Sequence, residues 1–443
     1  MWRAHAWWIA ALGASSLACG SRSALTATAG AGNSSDTGGL GGGLGGGAPL
    51  DPCSAPQRYL LDSVKRGRVN GGLGVDSLDR LVVVGEVVEK PAKLDDLTLA
   101  TEIGTFVTII DQQSKLVYSS TWRAIPPDPG FTMPRAARVI AGDRVAVVGR
   151  MGGSTQLGST VVAVPDSVPN TADRSFVVNQ TLDGSAAWGI AVSSASIDFW
   201  GVAGGPSGEI VVGGVFKGEL RIGANLIETA GDLTNVVLKL DSSGALVWHR
   251  TLAAAPSSTF AVAVDQKGDA VALATLKQPV TIAGTLLEPK DGDDSSIAVK
   301  LSRVNGTPLW ARMLPGFATD VASTSSGQLF AVVAGTKRLL ALDGTTGATL
   351  WERPLSEAFR IAVDKTDAAI VTLLMSVTRY SSTGDLLSSW CPTNPIAPGN
   401  GPNDYPFVTV DSMGRVYASS AGISYDFGNG PIVGPFVLRY SPP

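Results

Sequence analysis

Two kinds of strand pair alternate along the chain from residue 53 onward. The first reads as an alternating apolar strand, a turn running from Asp to Gly, and a strand that ends on Trp. Val236-Val-Leu-Lys-Leu-Asp241 and Leu339-Leu-Ala-Leu-Asp343 are leading strands of this kind. Alternation with a period of two marks a strand rather than a helix. The Asp side chain caps the turn, and Gly supplies the positive φ of a type I turn with a G1 bulge. Four Trp residues stand four positions after such a Gly: Gly184 to Trp188, Gly244 to Trp248, Gly306 to Trp310 and Gly347 to Trp351.

The second unit is a short apolar strand, a polar turn and a Val/Gly-rich strand. Seven copies are present. The first three are Gly74 to Gly85, Arg138 to Gly149 and Val202 to Gly214; the rest centre on Val262–Ala274, Asp320–Val333, Ile361–Leu373 and Val408–Ser419. One unit of each kind makes a four-stranded sheet, and the copies recur about every 56 residues, the spacing of propeller blades. The expected fold is an all-β propeller of seven four-stranded blades over residues 53–443. Trp122, Trp188, Trp248, Trp310, Trp351 and Trp390 are read as its structural anchors, one per blade, which leaves the seventh blade without one. After the seventh copy only Pro435 to Tyr440 remains as a strand, so Arg58-Tyr-Leu-Leu61 is expected to supply the outer strand of the last blade. Tyr59 lies 17 residues before Asp76, as Trp248 lies 17 before Asp265. A blade shared by both chain ends closes the ring and removes exposed sheet edges.

Composition agrees with strands and turns. Gly numbers 53, charged residues are 16%, and the net charge is −4. The densest basic spot is Lys65-Arg66-Gly67-Arg68, too little for a nucleic-acid footprint, so no nucleic-acid partner is expected. Gly20 to Gly47 is low in complexity and cannot bury enough apolar surface to offset its ordering entropy, so it reads as a flexible tether.

Residues 1–18 have the layout of a signal peptide, with Arg3 ahead of an apolar stretch from Trp7 to Ala18 that is too short to span a bilayer. The stretch ends in Ser16-Leu17-Ala18-Cys19-Gly20, which resembles the lipobox of bacterial lipoproteins, although Leu stands two places before Cys rather than three. The resemblance implies lipidation at Cys19, a tether over 19–52, and a protein held to a membrane of the cell envelope, the outer membrane or the cell surface.

Asp343-Gly-Thr-Thr-Gly-Ala-Thr-Leu-Trp351 resembles the blade motif of PQQ-like propellers, and the longer blades around Trp248 and Trp310 resemble the extracytoplasmic SBBP repeats. Both resemblances imply a propeller and leave function open, because propellers host many activities. Quinoprotein dehydrogenases of that family hold their cofactor with a vicinal disulfide, and no adjacent Cys pair occurs in this chain. No cofactor is expected.

Candidate chemistry is sparse. His249 is the one His after residue 18, and it sits beside an anchor Trp; no zinc spacing and no Gly-x-Ser-x-Gly occurs. Asp291-Gly-Asp-Asp294 lacks the order of a calcium loop and reads as a solvated turn. No metal site and no catalytic residue is assigned. Cys53 and Cys391 are expected to form a disulfide, since one precedes the closing strand and the other follows Trp390. The expected function is a membrane-tethered scaffold or binding module that presents interblade loops to a protein or glycan, the Pro-rich segments Ile125–Phe131 and Pro392–Tyr405 first among them. The alternative is a hydrolase or lyase acting on a surface glycan, which requires converging carboxylates; Asp128, Asp173 and Asp404 are the candidates.

Overall fold

In the second and third strands of each sheet, apolar residues are buried on both faces: Ala270–Leu276 and Ser295–Leu301 are buried at every position. Such strands need a neighbour on each side, as a sheet sandwiched between two others provides. The outermost strands behave differently; Thr349–Pro354 is exposed at four of its six positions and fully buried at none. That gradient is the signature of blades stacked around an axis.

The computed structural model describes residues 58–65, 67–87, 92–94, 97–100, 103–125, 131–157, 160–163, 173–184, 187–229, 233–254, 261–289, 295–355, 358–373, 376–390, 394–395, 406–420, 425–426, 431–432 and 436–440. All of them belong to the unit Leu50–Pro443. The signal and tether segments, Cys19, Cys53, Cys391, Asp128, Asp291–Asp294 and Asp404 lie outside the described residues.

Seven antiparallel sheets form a seven-bladed β-propeller. Taken from the axis outward, blade one is Gly67–Val75, Leu81–Val87, Gly104–Ile110 and Leu116–Ala124. Blade two is Thr132–Ile140, Arg144–Met151, Asp173–Thr181 and Ala187–Ser194. Blade three is Ser196–Gly204, Ile210–Lys217, Thr234–Leu240 and Leu246–Ala254. Blade four is Ala261–Val264, Ala270–Leu276, Ser295–Leu301 and Pro308–Met313. Blade five is Ala318–Ser323, Gln328–Val333, Arg338–Asp343 and Thr349–Pro354. Blade six is Arg360–Val363, Ala369–Leu373, Ser376–Tyr380 and Leu386–Trp390.

Blade seven joins the two chain ends. Val408–Val410, Val416–Ser420 and Phe436–Tyr440 are completed by Arg58–Lys65. Tyr59 pairs with Arg439, the register in which Trp248 pairs with Lys239. The inner strands pack on one another in sequence, and the last packs on the first. Closure leaves no inner strand exposed at an edge.

The core consists of wedges between blades. Phe106, Phe176, Phe199, Phe216 and Phe330 are fully buried, together with Val, Leu and Ile side chains of the second and third strands. Each wedge is bounded by both neighbouring sheets: one cluster joins Val237 and Trp248 of blade three to Ala272 and Val299 of blade four.

The two faces of the ring differ. Turns from inner to second strand and from third to outer strand open on one face, the turn face. They are short, and Asp76, Asp111, Asp241, Asp265, Asp364 and Asp411 each accept two backbone N–H bonds within their own turn. The opposite loop face carries the connections from second to third strand and from each blade to the next. In five blades the former connection carries a hairpin: Ala92–Leu94 with Leu97–Ala100, Thr155–Leu157 with Thr160–Val162, Glu219–Ile222 with Asn225–Glu228, Val280–Ile282 with Thr285–Leu287, and Tyr425–Asp426 with Pro431–Ile432. The first three pair with the outer strand of the preceding blade.

Candidate functional site

The six expected anchors lie on the outer strands of blades one to six, in two kinds of position. Trp188, Trp248, Trp310 and Trp351 pair with Asn179, Lys239, Lys300 and Ala341, which hold the same place on their third strands. Each ring lies over the turn glycine of the next blade. A Cβ on Gly306 would stand 2.7 Å from the Trp248 ring, and one on Gly347 would stand 2.8 Å from Trp310. Both glycines also have positive φ, 69° and 74°, so two independent requirements select glycine there. The indole N–H donates to a carbonyl of the same turn: Trp188 to Ser242 at 2.8 Å, Trp248 to Arg303 at 3.2 Å, Trp310 to Gly344 at 3.2 Å and Trp351 to Ser382 at 2.7 Å. Two residues after three of these Trp residues comes an Arg that donates to the glycine carbonyl: Arg250 to Gly306, Arg312 to Gly347 and Arg353 to Gly384. This Trp-x-Arg pattern is visible in the sequence, but its partner is in the next blade.

Trp122 and Trp390 occupy other registers. Trp122 pairs with Thr105, four residues past the anchor place, which Tyr118 fills opposite Ile109. The Tyr118 side chain covers Gly184 as the Trp rings cover their glycines. Trp122 is fully buried; it donates to Gln180 at 3.2 Å and packs edge-on against Phe176. Trp390 lies two residues beyond the anchor place, now Ser388, and stacks on Tyr440 of blade seven at 5.6 Å. The signal was readable: Ser114, at positive φ, stands where other blades have Gly, and Tyr118 follows it by four.

On the turn face a groove of about 670 Å3 runs between blades four, five and six. Asp265, Lys300, Ser326, Thr345, Trp351 and Thr383 line it. Lys300 pairs with Asp265 at 2.6 Å and donates to the Gly344 carbonyl at 2.8 Å, so its charge is already engaged. The groove follows the interblade contacts.

The axial channel is richer in unusual geometry. Inner strands run from the loop face to the turn face, and four of them break register near their start; in blade one the break lies between Arg68 and Gly72, and in the other three a single residue is left out. Arg135 falls outside the ladder between Pro134 and Ala136, Trp200 between Phe199 and Gly201, and Thr319 between Ala318 and Asp320. A bulge breaks the alternation of side chains and re-aims the extra residue. The Arg135 guanidinium lies 4.3 Å from the Trp200 ring centre and 3.4 Å from the Asp198 carboxylate. Beside them Arg150 pairs with Asp173 at 3.2 Å. Burial raises the Asp198 carboxyl to about 6; the nearby Arg135 and Arg150 oppose the shift, and Asp173 adds to it. Deeper in the channel Arg138 of blade two reaches Asp320 of blade five at 3.9 Å, and Asp320 also accepts the Ile361 N–H of blade six at 3.0 Å. Blades two and five face each other across the ring, so this pair bridges the channel.

Of the three carboxylates expected to converge, Asp173 starts the third strand of blade two on the loop face, paired with Arg150, and the other two lie outside the described residues. His249 is exposed on the outer strand of blade three; partial burial and then Arg250 hold its imidazole below the ordinary range. Sequence reading missed Arg135, Asp198 and Trp200, since nothing in their neighbourhood marks a bulge.

A family model described as outer membrane protein assembly factor BamB matches residues 293–388, from the third strand of blade four to the outer strand of blade six. Among curated proteins no sequence match is found. Similar solved structures include a chain of a mitotic checkpoint complex (TM-score 0.51, 10% identity, 92% of this chain and 99% of that chain). Others are the C-terminal WD40 domain of Sif2 (0.49, 8%, 88% and 100%) and a streptogramin B lyase (0.48, 10%, 87% and 97%). Identities this low bear on fold alone. The chain is a seven-bladed β-propeller, with its clearest PQQ-like blade motif, Asp343 to Trp351, inside the stretch that the family model matches.

Proposed function

We propose that the protein is a binding scaffold of the cell envelope, tethered through a lipid on Cys19, that engages a partner protein along the rim of its loop face. The observation that carries this reading is a row of exposed apolar residues. Val161, Leu226 and Leu286 hold the same place in the hairpins of blades two, three and four and are 49%, 44% and 59% exposed. The residues that follow them, Val162, Ile227 and Leu287, are buried beneath. Single exposed apolar side chains are ordinary, but a repeated row on rigid hairpins forms a contact surface. The match to an outer membrane assembly factor supports the envelope setting. A glycan-cleaving activity is less well supported, because Asp173 and Asp198 each hold an Arg.

The test places a photo-crosslinker at Leu226 or Leu286 in the full chain in its native membrane, with Leu78 of the turn face as control. One protein band from the rim and none from Leu78 is the expected result. Equal capture from both faces, or none from the rim, rejects the reading. For the anchor, Cys19→Ala is expected to leave the membrane fraction; unchanged fractionation rejects lipidation.

A further inference from the structure

The channel mouth between blades two and three has features that fold stability does not require. Two bulges interrupt inner-strand ladders there, and the extra residues stack on each other: the Arg135 guanidinium lies over the Trp200 ring, which also packs against the core between blades three and four. The Arg135–Asp198 pair is open at 3.4 Å, and Arg150 pairs with Asp173 beside it at 3.2 Å. Within the cluster Asp198 Oδ1, Arg135 Nε, Arg150 Nε and Trp200 Nε1 have no hydrogen-bond partner. Buried polar atoms are normally satisfied, and a local concentration of exceptions marks a place with a further role.

We propose that this mouth binds a neutral saccharide, one or two rings of which enter the cup formed by Phe131, Arg135, Arg150, Asp173, Asp198 and Trp200.

Three features select that chemistry. The two arginines and two carboxylates are paired with each other, so the cup has no surplus charge with which to select an anion or a cation. What it offers is donors and acceptors interleaved on a rigid frame, and a sugar hydroxyl both donates and accepts. Arg135 and Asp198 are each 17% exposed at the side chain, enough to present an edge to the mouth without dissolving the pair in solvent. At the entrance Phe131 is 50% exposed, with its ring against Gly152, where a Cβ would stand 2.6 Å away. A half-exposed aromatic ring beside polar groups offers the apolar C–H face of a sugar a surface to lie on. Depth sets the size. Arg138 lies three residues further along the same strand as Arg135 and reaches Asp320 across the channel, so an ion pair bounds the site below and a short saccharide or a chain end suits it. Burial of Asp198 gives a hydroxyl donor something to relieve, because a donated hydrogen bond stabilises its charged form. The cup is separate from the rim row and stands without it.

The experiment exposes the full chain to an array of neutral oligosaccharides and their uronic and sulfated counterparts, then repeats it with Phe131→Ala, Asp198→Asn and Trp200→Phe. Leu78→Ser serves as a turn-face control, and melting curves confirm folding. Retention of neutral oligosaccharides is expected, weakened about tenfold or more by Asp198→Asn, since a lost polar contact leaves its partner unmatched. Phe131→Ala, at an exposed side chain, should weaken retention without lowering the melting point. Retention of nothing on the array, preference for the acidic members, or three variants that bind as the parent does would each overturn the proposal. Cross-linking from Leu226 reports on the rim separately, so protein capture with an empty array removes this inference and keeps the scaffold.

Discussion

Ser412 holds Asp79 across the seam of the ring, donating its backbone N–H at 2.8 Å and its hydroxyl at 2.5 Å to the two carboxylate oxygens. The residues are 333 positions apart and join blade seven to blade one. The arrangement recurs where Ser77 holds Asp143 and where Ser325 and Ser326 hold Asp367. All three Asp residues have positive φ, 58°, 50° and 60°, in a turn position that Gly208, Gly268, Gly327 and Gly414 fill elsewhere. Where glycine is absent, the strained residue serves as a clamp for the neighbouring blade.

Replacing Ser412 by Ala is expected to cost about 1 kcal/mol, a typical net value for hydrogen bonds of this kind. Asp79→Gly should lose the clamp but gain backbone ease, whereas Asp79→Ala loses the clamp and keeps the strain. Melting should therefore rank parent above Asp79→Gly above Asp79→Ala. A Gly variant as stable as the parent would show that the clamp contributes nothing. Burial works against the Asp79 charge, but the Ser412 bonds outweigh it and hold the carboxyl below its ordinary range. The clamp's contribution is thus full above the ordinary carboxylate range of about 4 and fades as pH falls through the lower folded value.

Asp198 has the opposite dependence. Its folded pKa of about 6 lies above the unfolded value, so the folded state holds more protons in between. Its contribution to stability is present below about pH 4 and is lost as pH rises through about 6. Relative to the parent, Asp198→Asn is expected to gain melting temperature between pH 4 and pH 7.5, because only the parent must ionise a buried carboxyl as pH rises. The carboxylates of the turn face are common to both proteins, so the difference reports Asp198. A margin that does not change with pH would refute the assignment.

The interblade latch makes a sharper demand. Trp248→Ala and Trp310→Ala should each cost about 3–5 kcal/mol, as large-to-small changes at buried aromatic sites do. Gly306→Ala should also destabilise, by strain at positive φ and by collision with the Trp248 ring. In a double-mutant cycle with Trp248→Leu the two effects should be less than additive, because the collision is removed once. Strict additivity would separate the glycine from the ring.

Cys53 and Cys391 flank described strands of adjoining blades, Arg58–Lys65 of blade seven and Leu386–Trp390 of blade six. Non-reducing peptide mapping of the protein is expected to find them linked. A loop this long corresponds to about 4 kcal/mol or more in the chain-entropy account, so reduction should lower the melting point. Two thiols that alkylate freely in the folded protein would end the proposal.

The repeat, the blade count and the shared last blade were legible in the chain because they rest on local chemistry. An Asp-to-Gly turn sets the register of its own hairpin, and register sets which residues face inward, so Gly244 locates Trp248 and the spacing of Tyr59 to Asp76 locates the closing strand. Tertiary structure alone decided what meets between hairpins. The rings of Trp248 and Trp310 find their glycines, Ser412 finds Asp79, and Arg138 finds Asp320 because the ring closes at seven blades, which brings residues together by angle rather than by separation along the chain. The channel mouth was hidden for a second reason. A bulge adds one residue without changing composition or alternation enough to be seen, so the side chains it re-aims, Arg135 and Trp200, look like ordinary members of their strands until the neighbouring blade shows what they meet.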